Sequence, residues 1–377
     1  MKECTRFWIL CFTPFEDKSS GKGFLIRARA KANQRNHKPL DHALPLGETS
    51  YGMLSPSSSA RKSMQIGPTT ILDTFAEAFR MRYARLLVTA DDDYWLDAAL
   101  RALSGYGTSV IGCDAEAGVE QYLSPDDTPD GRPGAGVLLF GFSTDALATA
   151  VPNRVGQCVM TCPTTACYNG LQANGSTDST ETIPLGKHLR FFGDGYQKSK
   201  MQAGRRYWRI PVMDGEFLVE ETVGVAKGIA GGNIMLQAVS QSVALAAARR
   251  ASEAVGRVPG VITPFPGGVA RSGSKVGSRY KGLVASTNDP FCSTQRGRVQ
   301  TELADGANCC YEIVIDGIDE ATVARGMRTA VEAAAGEGVL AIGAGNYGGK
   351  LGKFHFHLHE VMGASEPPGD NESRSGH

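Results

Sequence analysis

Glu312 sits in the run CCYEIVIDGI, one residue into an otherwise apolar stretch. A carboxylate in such a strand faces a sheet surface or a cleft rather than bulk solvent. Burial then raises its pKa toward the range useful for general acid–base work. A salt-bridged glutamate explains the same residue equally simply. Residues 264–275, PFPGGVARSGSK, set Gly268 and Gly273 ahead of Ser274-Lys275. A Walker phosphate loop needs Lys before Ser/Thr, after a buried strand and ahead of a helix. Two prolines come before these glycines and further glycines follow, so neither context is met. Even so, Ser272, Ser274, Lys275, Ser278, Arg279 and Lys281 crowd hydroxyls and positive charge around accessible backbone N–H groups. That suits an anionic ligand; a solvated surface loop is the other reading.

Four further patterns invite chemistry. Gly343-Ala-Gly345-Asn-Tyr-Gly348 matches the dinucleotide fingerprint after a strand, but GKLGKFHFHLHEV follows with strand alternation. The fingerprint requires a helix there, so tight-turn geometry accounts for these glycines. On that strand His355, His357 and His359 would share one face. They read either as a metal or hydrolase HxH set or as a half-buried polar face. No Asp, Glu or His cluster of ligand spacing accompanies them, and no metal is expected. Cys158, Cys162 and Cys167 lack a fourth partner, Cys309 and Cys310 are adjacent, and these thiols read as small buried hydrophobes. GIAGGN (228–233) runs into the longest apparent helix, whose free N–H groups would form an anion-friendly end.

The elements that must position these residues alternate along residues 64–362. Strands are expected at 84–90, 108–113, 136–142, the start of 155–169, 311–318, 338–343 and 353–361. Helices are expected at 91–107, capped by Asp91–Asp93 and stopped by Gly105 or Gly107, at about 234–255, closed by Gly256, and at 319–336, capped near Asp319. Residues 207–221 form a hairpin that turns at Asp214-Gly215. Hairpins and single crossovers outnumber parallel units. The expected fold is therefore α+β, with two lobes (64–220 and 221–362) and mixed or antiparallel sheets.

Composition narrows the function. The 377 residues sum to zero net charge, but 1–63 carry +6 and 363–377 carry −2, which leaves a mildly acidic centre. Such a centre is a poor footprint for nucleic acid. No apolar run is long enough to span a membrane. Nine cysteines in a long chain fit a reducing cytoplasm. Residues 1–63 lack a period and apolar content, so disorder is expected, with only a faint signal-like start and Met64 as an alternative initiator. The end, 363–377, reads as a solvated tail.

Taken together, ILDTFAEAF (71–79), GTSVIGCDAEAG (107–118), TPDGRPG (128–134), VGQCVMTCPT (155–164), FFGDGYQ (191–197), AGGN (230–233), PFPGGV (264–269), SKVGS (274–278), ASTNDPFC (285–292), CYEIVIDG (310–317) and GNYGGKLG (345–352) resemble the formylmethanofuran–tetrahydromethanopterin formyltransferase family. The likeness covers about Ile71 to Val361, while both ends and the loop 175–190 depart from it. The resemblance implies two ferredoxin-like α/β lobes and a homotetramer. It implies formyl transfer between the amine of methanofuran and N5 of tetrahydromethanopterin, with no metal or prosthetic group because both coenzymes are substrates. It implies an acid–base role for Glu312. The glycine-rich walls then become candidate substrate contacts: Gly232, Asn233, Phe265, Gly267, Gly268, Ser274, Lys275, Gly277, Ser278, Asn288 and Lys350. Arg279 and Lys281 join Lys275 and Lys350 as candidate partners for substrate anions. A near-neutral pI fits a bacterial C1-oxidation setting, with flux toward formylmethanofuran inside a formyltransferase/hydrolase complex. The rivals are a non-catalytic structural paralogue within such a complex and a metal-dependent hydrolase built on the histidine strand.

Overall fold

The computed structural model describes residues 64–171 and 181–363. The expectations for 1–63, for residues 175–180 of the 175–190 loop and for the tail beyond Gly363 fall outside these described residues. The principal elements are β1 (Phe75–Thr89), α1 (Asp93–Ser104), β2 (Glu116–Leu123), β3 (Gly134–Gly141), α2 (Thr144–Arg154), β4 (Ala166–Asn169), β5 (Arg205–Val212), β6 (Gly215–Glu220) and β7 (Thr222–Ala238). They continue with α3 (Gln241–Val255), β8 (Cys309–Gly317), α4 (Glu320–Ala334), β9 (Val339–Gly343), β10 (Phe354–His357) and α5 (Leu358–Gly363).

Two long strands organise everything else. β1 and β7 pair antiparallel from Ala84↔Val225 to Phe79↔Ala230. The later half of β1 lies between β3 and β4, where α1 and α2 cover a core that includes Leu86, Leu96, Leu139, Leu147 and Val151. The later half of β7 lies between β8 and β9, both antiparallel to it, and α3 and α4 cover one face of that sheet. Ala244, Ala247, Ala248 and Ala251 of α3 are fully buried there. Small side chains let a helix sit close to a sheet, and close packing is what maximises dispersion contacts. The chain thus has two α/β lobes, and the two larger apolar clusters among the described residues are their cores.

Local signals hold at several ends. Asp92 caps α1 by accepting from the Trp95 N–H at 3.0 Å. Asp319 and Thr322 form a reciprocal capping box at α4, and the 205–220 hairpin turns where its Asp-Gly pair stands. Other expectations fail. Ile234–Ala238 are strand, not helix, and the helix begins only at Gln241 behind its Ser240 cap. A fully buried strand is apolar on both faces, so its run cannot be told from helix by periodicity. The GIAGGN run therefore opens no helix and offers no helix end to an anion. Residues 108–113 are a turn in which Gly112 and Cys113 N–H both reach the Ser109 carbonyl. Residues 155–159 close α2 with one π-helical turn instead of forming a strand. The last strand stops at His357 and gives way to α5.

Candidate active site

Side chains on β8 alternate. Tyr311, Ile313 and Ile315 join the core beneath α3 and α4. The even positions face the other way, and there Glu312 and Val314 line a cavity of about 700 Å³. Opposite them on β7 stand Met235 and Asn233. The Glu312 carboxylate is half-buried, and its pKa is pushed up to about 7 by burial alone. A carboxyl poised there exchanges a proton readily at neutral pH.

The 264–275 segment threads along the edge of β8 at this residue. The Ala270 N–H donates to the Glu312 carbonyl at 2.8 Å, and the Glu312 N–H donates back to the Ala270 carbonyl at 3.0 Å. Phe265 and Ser272–Val276 then continue the cavity wall. Gly273 has φ +54°, and a Cβ placed on it would stand 3.7 Å from Glu312 Oε2 and 3.0 Å from Asn288 Cβ. Gly268 has φ +75° and presses on α3, where a Cβ would fall 1.9 Å from Ser252 Oγ. No helix follows the segment, so the Walker pattern fails in the structure as it does in the sequence.

The fingerprint-like loop does something else with its amides. Glu77, only 1 % exposed, accepts the N–H groups of Tyr347 and Gly349 on one oxygen and those of Leu351 and Gly352 on the other. Burial pulls its pKa upward, but the four amides outweigh that and hold it below the usual carboxylate range. Asn233 ties the same loop down: its Oδ1 accepts the Gly345 N–H at 2.6 Å and its amide donates to the Gly345 carbonyl at 3.1 Å. So placed, Tyr347 lines the cavity, rests on Phe79 at 6.2 Å between ring centroids, and brings its phenol beside Ser274 and near Glu312. Burial, chiefly, keeps that phenol protonated.

Of the candidate contacts, Glu312, Asn233, Phe265, Ser274 and Lys275 stand on the wall. Lys275 is ion-paired with Asp289 at 2.6 Å, so its charge already has a partner. The others lie off the wall. Gly232 faces α4, where a Cβ would strike Val323 at 2.4 Å, and Gly268 backs onto α3. Gly267 opens onto free space, Gly277 and Ser278 turn away into the small 275–286 hairpin, and Asn288 backs Gly273. Lys350, Arg279 and Lys281 are exposed. His355 and His357 pack on Phe75 at 5.2 Å each, whereas His359 sits on α5 with Nε2 2.9 Å from the Ile71 carbonyl. The three imidazoles do not share a face, and no metal-ligand group occurs among the described residues. Glu77, Tyr347, Phe79, Phe142 and the 106–113 turn completing the wall escaped sequence reading. The GNYGG glycines were the available signal for the first two.

A family model described as "Formylmethanofuran-tetrahydromethanopterin formyltransferase" matches residues 64–212, and one described as "FTR, proximal lobe" matches 215–361. A formylmethanofuran–tetrahydromethanopterin formyltransferase of Methylococcus capsulatus is 54% identical over 303 residues, 79% of this chain and 100% of the relative. A subunit of the formyltransferase/hydrolase complex of Methylorubrum extorquens is 48% identical over 300 residues, 77% of this chain and 94% of the relative. The formyltransferase structure from Methanosarcina barkeri superposes with a TM-score of 0.75 at 44% identity, covering 79% of this chain and 100% of that one. The crystal structure of the Methylorubrum extorquens complex with methylofuran gives a TM-score of 0.76 at 45% identity, covering 81% and 100%. This chain belongs to the formylmethanofuran–tetrahydromethanopterin formyltransferase family.

Proposed function

We propose that the cavity transfers a formyl group between N5 of tetrahydromethanopterin and the amine of methanofuran, with Glu312 moving the proton. One observation carries this: a carboxyl on the cavity wall, raised to about 7 by burial alone. The amine attacks the formyl carbon, a C–N bond forms, and the carbonyl π pair becomes an oxyanion. The new ammonium gives one proton to the Glu312 carboxylate. As the oxyanion collapses and the old C–N bond breaks, the carboxylic acid returns that proton to the departing N5. The reverse direction uses the same steps. No covalent enzyme intermediate is needed. Holding two reactants in a dry cavity supplies on the order of 7 kcal/mol. The protonated Tyr347 phenol, beside Ser274, is our candidate donor to the oxyanion.

The substrate contacts we propose on the wall are Asn233, Phe265, Ser274 and the aliphatic stem of Lys275. Gly232, Gly267, Gly268, Gly277, Ser278, Asn288 and Lys350 act by shaping the surrounding segments. We further place the enzyme in the cytoplasm as a homotetramer, with hydrolase subunits as partners and with both coenzymes as substrates rather than cofactors. The Methylorubrum relative supports the partner reading, since it is named as a subunit of such a complex. A spectrophotometric transfer assay with both coenzymes tests the proposal. Turnover that Glu312→Gln abolishes supports it, and a silent wild-type protein favours the structural paralogue.

A further inference from the structure

Beside the cavity lies a pair of acids that the transfer step does not use. Glu116, at the start of β2, is 8 % exposed and lies on the cavity wall; Asp316, near the end of β8, is fully buried. Glu116 Oε1 accepts the Val110 N–H at 3.0 Å, from the middle of the 106–113 turn. Asp316 Oδ1 accepts the Gly231 N–H at 2.9 Å, at the register shift in β7. The two carboxyl groups lie within hydrogen-bonding reach of each other. Asp316 Oδ2 is buried and receives no hydrogen bond from any N–H or hydroxyl among the described residues. Val110 and Gly231 both line the cavity.

Two carboxyl oxygens in contact, buried and without a cation, cannot both be ionised, so a proton must lie between them. Glu116 faces Phe140 across β2–β3, and Asp316 faces Ile262 of the neighbouring short strand. The next acid along β2, Glu120, is already paired with Arg85 at 2.7 Å. No ion pair to Lys, Arg or His involves either residue among the described residues. We infer that Glu116 and Asp316, joined through a shared proton, are positioning residues that fasten the 106–113 wall to the bulge at Gly231 and hold the cavity in its substrate-binding shape. The base of the same turn is held from the other side by Arg154, which donates to the Tyr106 carbonyl at 3.2 Å. The shared proton therefore governs the tip. This inference rests on the transfer reading for its kinetic consequence but not for its structural one.

The sign follows from linkage. Burial, first, and the neighbouring acid, second, raise Asp316 well above the ordinary carboxylate range, and burial raises Glu116. A raised acid supports the folded arrangement below its unfolded pKa and loses that support as pH rises through the folded value. The fastening is thus intact in acid and is lost as pH rises through the pair's folded value. Glu116→Gln and Asp316→Asn replace the shared proton with an amide N–H that does not titrate in this range. Both variants and Glu116→Ala, in the full chain, are compared by transfer kinetics across pH. Hydrogen exchange of the Val110 peptide, corrected for intrinsic rates, is followed in parallel.

In the wild type, KM rises about tenfold or more as pH rises through the pair's folded value and Val110 loses protection. The amide variants flatten both pH dependences, and Glu116→Ala shows the high KM and the loss of protection at every pH, with a smaller change in kcat. A rise of KM with pH and a loss of protection that persist in Glu116→Gln overturn the inference, as does unchanged protection in Glu116→Ala. The expected exchange pattern in a protein with no transfer activity supports the fastening and overturns the transfer reading instead.

Discussion

Glu77 and Glu312 stand on the same cavity, each beside a glycine-rich segment, and the two segments treat their carboxylates in opposite ways. The 345–352 loop folds around Glu77 and gives it four amides, so it stays ionised despite its burial. The 264–275 segment runs past Glu312 and pairs with its backbone, but leaves the carboxylate bare, so burial alone raises it to about 7. Burial is common to both. Amide donors decide which acid becomes a fixed anchor and which becomes a proton carrier. A glycine-rich run near a cavity is therefore no guide to ligand anions until the direction of its N–H groups is known.

That contrast can be broken at its active end first. Glu312→Gln should lower kcat by about 10²–10⁴-fold while substrate Kd changes little. It should also remove an ionisation near 7 from the wild-type kcat/KM profile; near wild-type turnover would remove Glu312 from the mechanism. Next in size is Glu77→Ala, which leaves four inward-facing amides without an acceptor. Thermal and denaturant unfolding should show a loss of about 3 kcal/mol or more. The acid limb should change as well. Glu77 has a lowered pKa, so its stabilisation is present above its unfolded value and lost as pH falls through the folded one. Below that window wild type and variant should converge, and a constant gap across pH would contradict the ionised anchor.

Tyr347→Phe keeps the ring on Phe79 and the backbone N–H on Glu77 but removes the phenol. A donor to the oxyanion predicts a fall of about 10²-fold in kcat with unchanged Tm. Equal kcat would leave Tyr347 as packing only. The smallest effect is expected from Lys275→Gln. Because Asp289 already takes its charge, substrate KM should shift by less than about threefold, in keeping with a partly exposed ion pair. A larger rise would restore Lys275 as an anion contact.

Residues whose meaning is local were legible before any fold was known. Glu312 stood out because a lone carboxylate interrupts a strand-like run. The Asp92 and Asp319 caps and the Asp214-Gly215 turn follow from short-range hydrogen bonding. What escaped depends on partners far along the chain. Glu77 is separated from its loop by 270 residues or more, and Glu116 and Asp316 come from strands in opposite halves of the chain. No spacing rule joins them. Ile234–Ala238 misled for a different reason, because a strand covered on both faces carries the same apolar run as a buried helix. The 108–113 turn misled because its Val and Ile look strand-forming, while Ser109 gathers two N–H groups and bends the chain.

The 15-residue β1 and the 17-residue β7 pass through both lobes and pair along their shared middle. A hinge needs a few loop residues able to absorb large backbone rotations, and a hydrogen-bonded ladder of two long strands offers none there. The lobes therefore cannot swing apart to admit two bulky coenzymes. Admission and release fall to the turns at the rim, and thermal melting should proceed as one cooperative transition shared by both lobes, because neither core can be lost without stripping strands from the other.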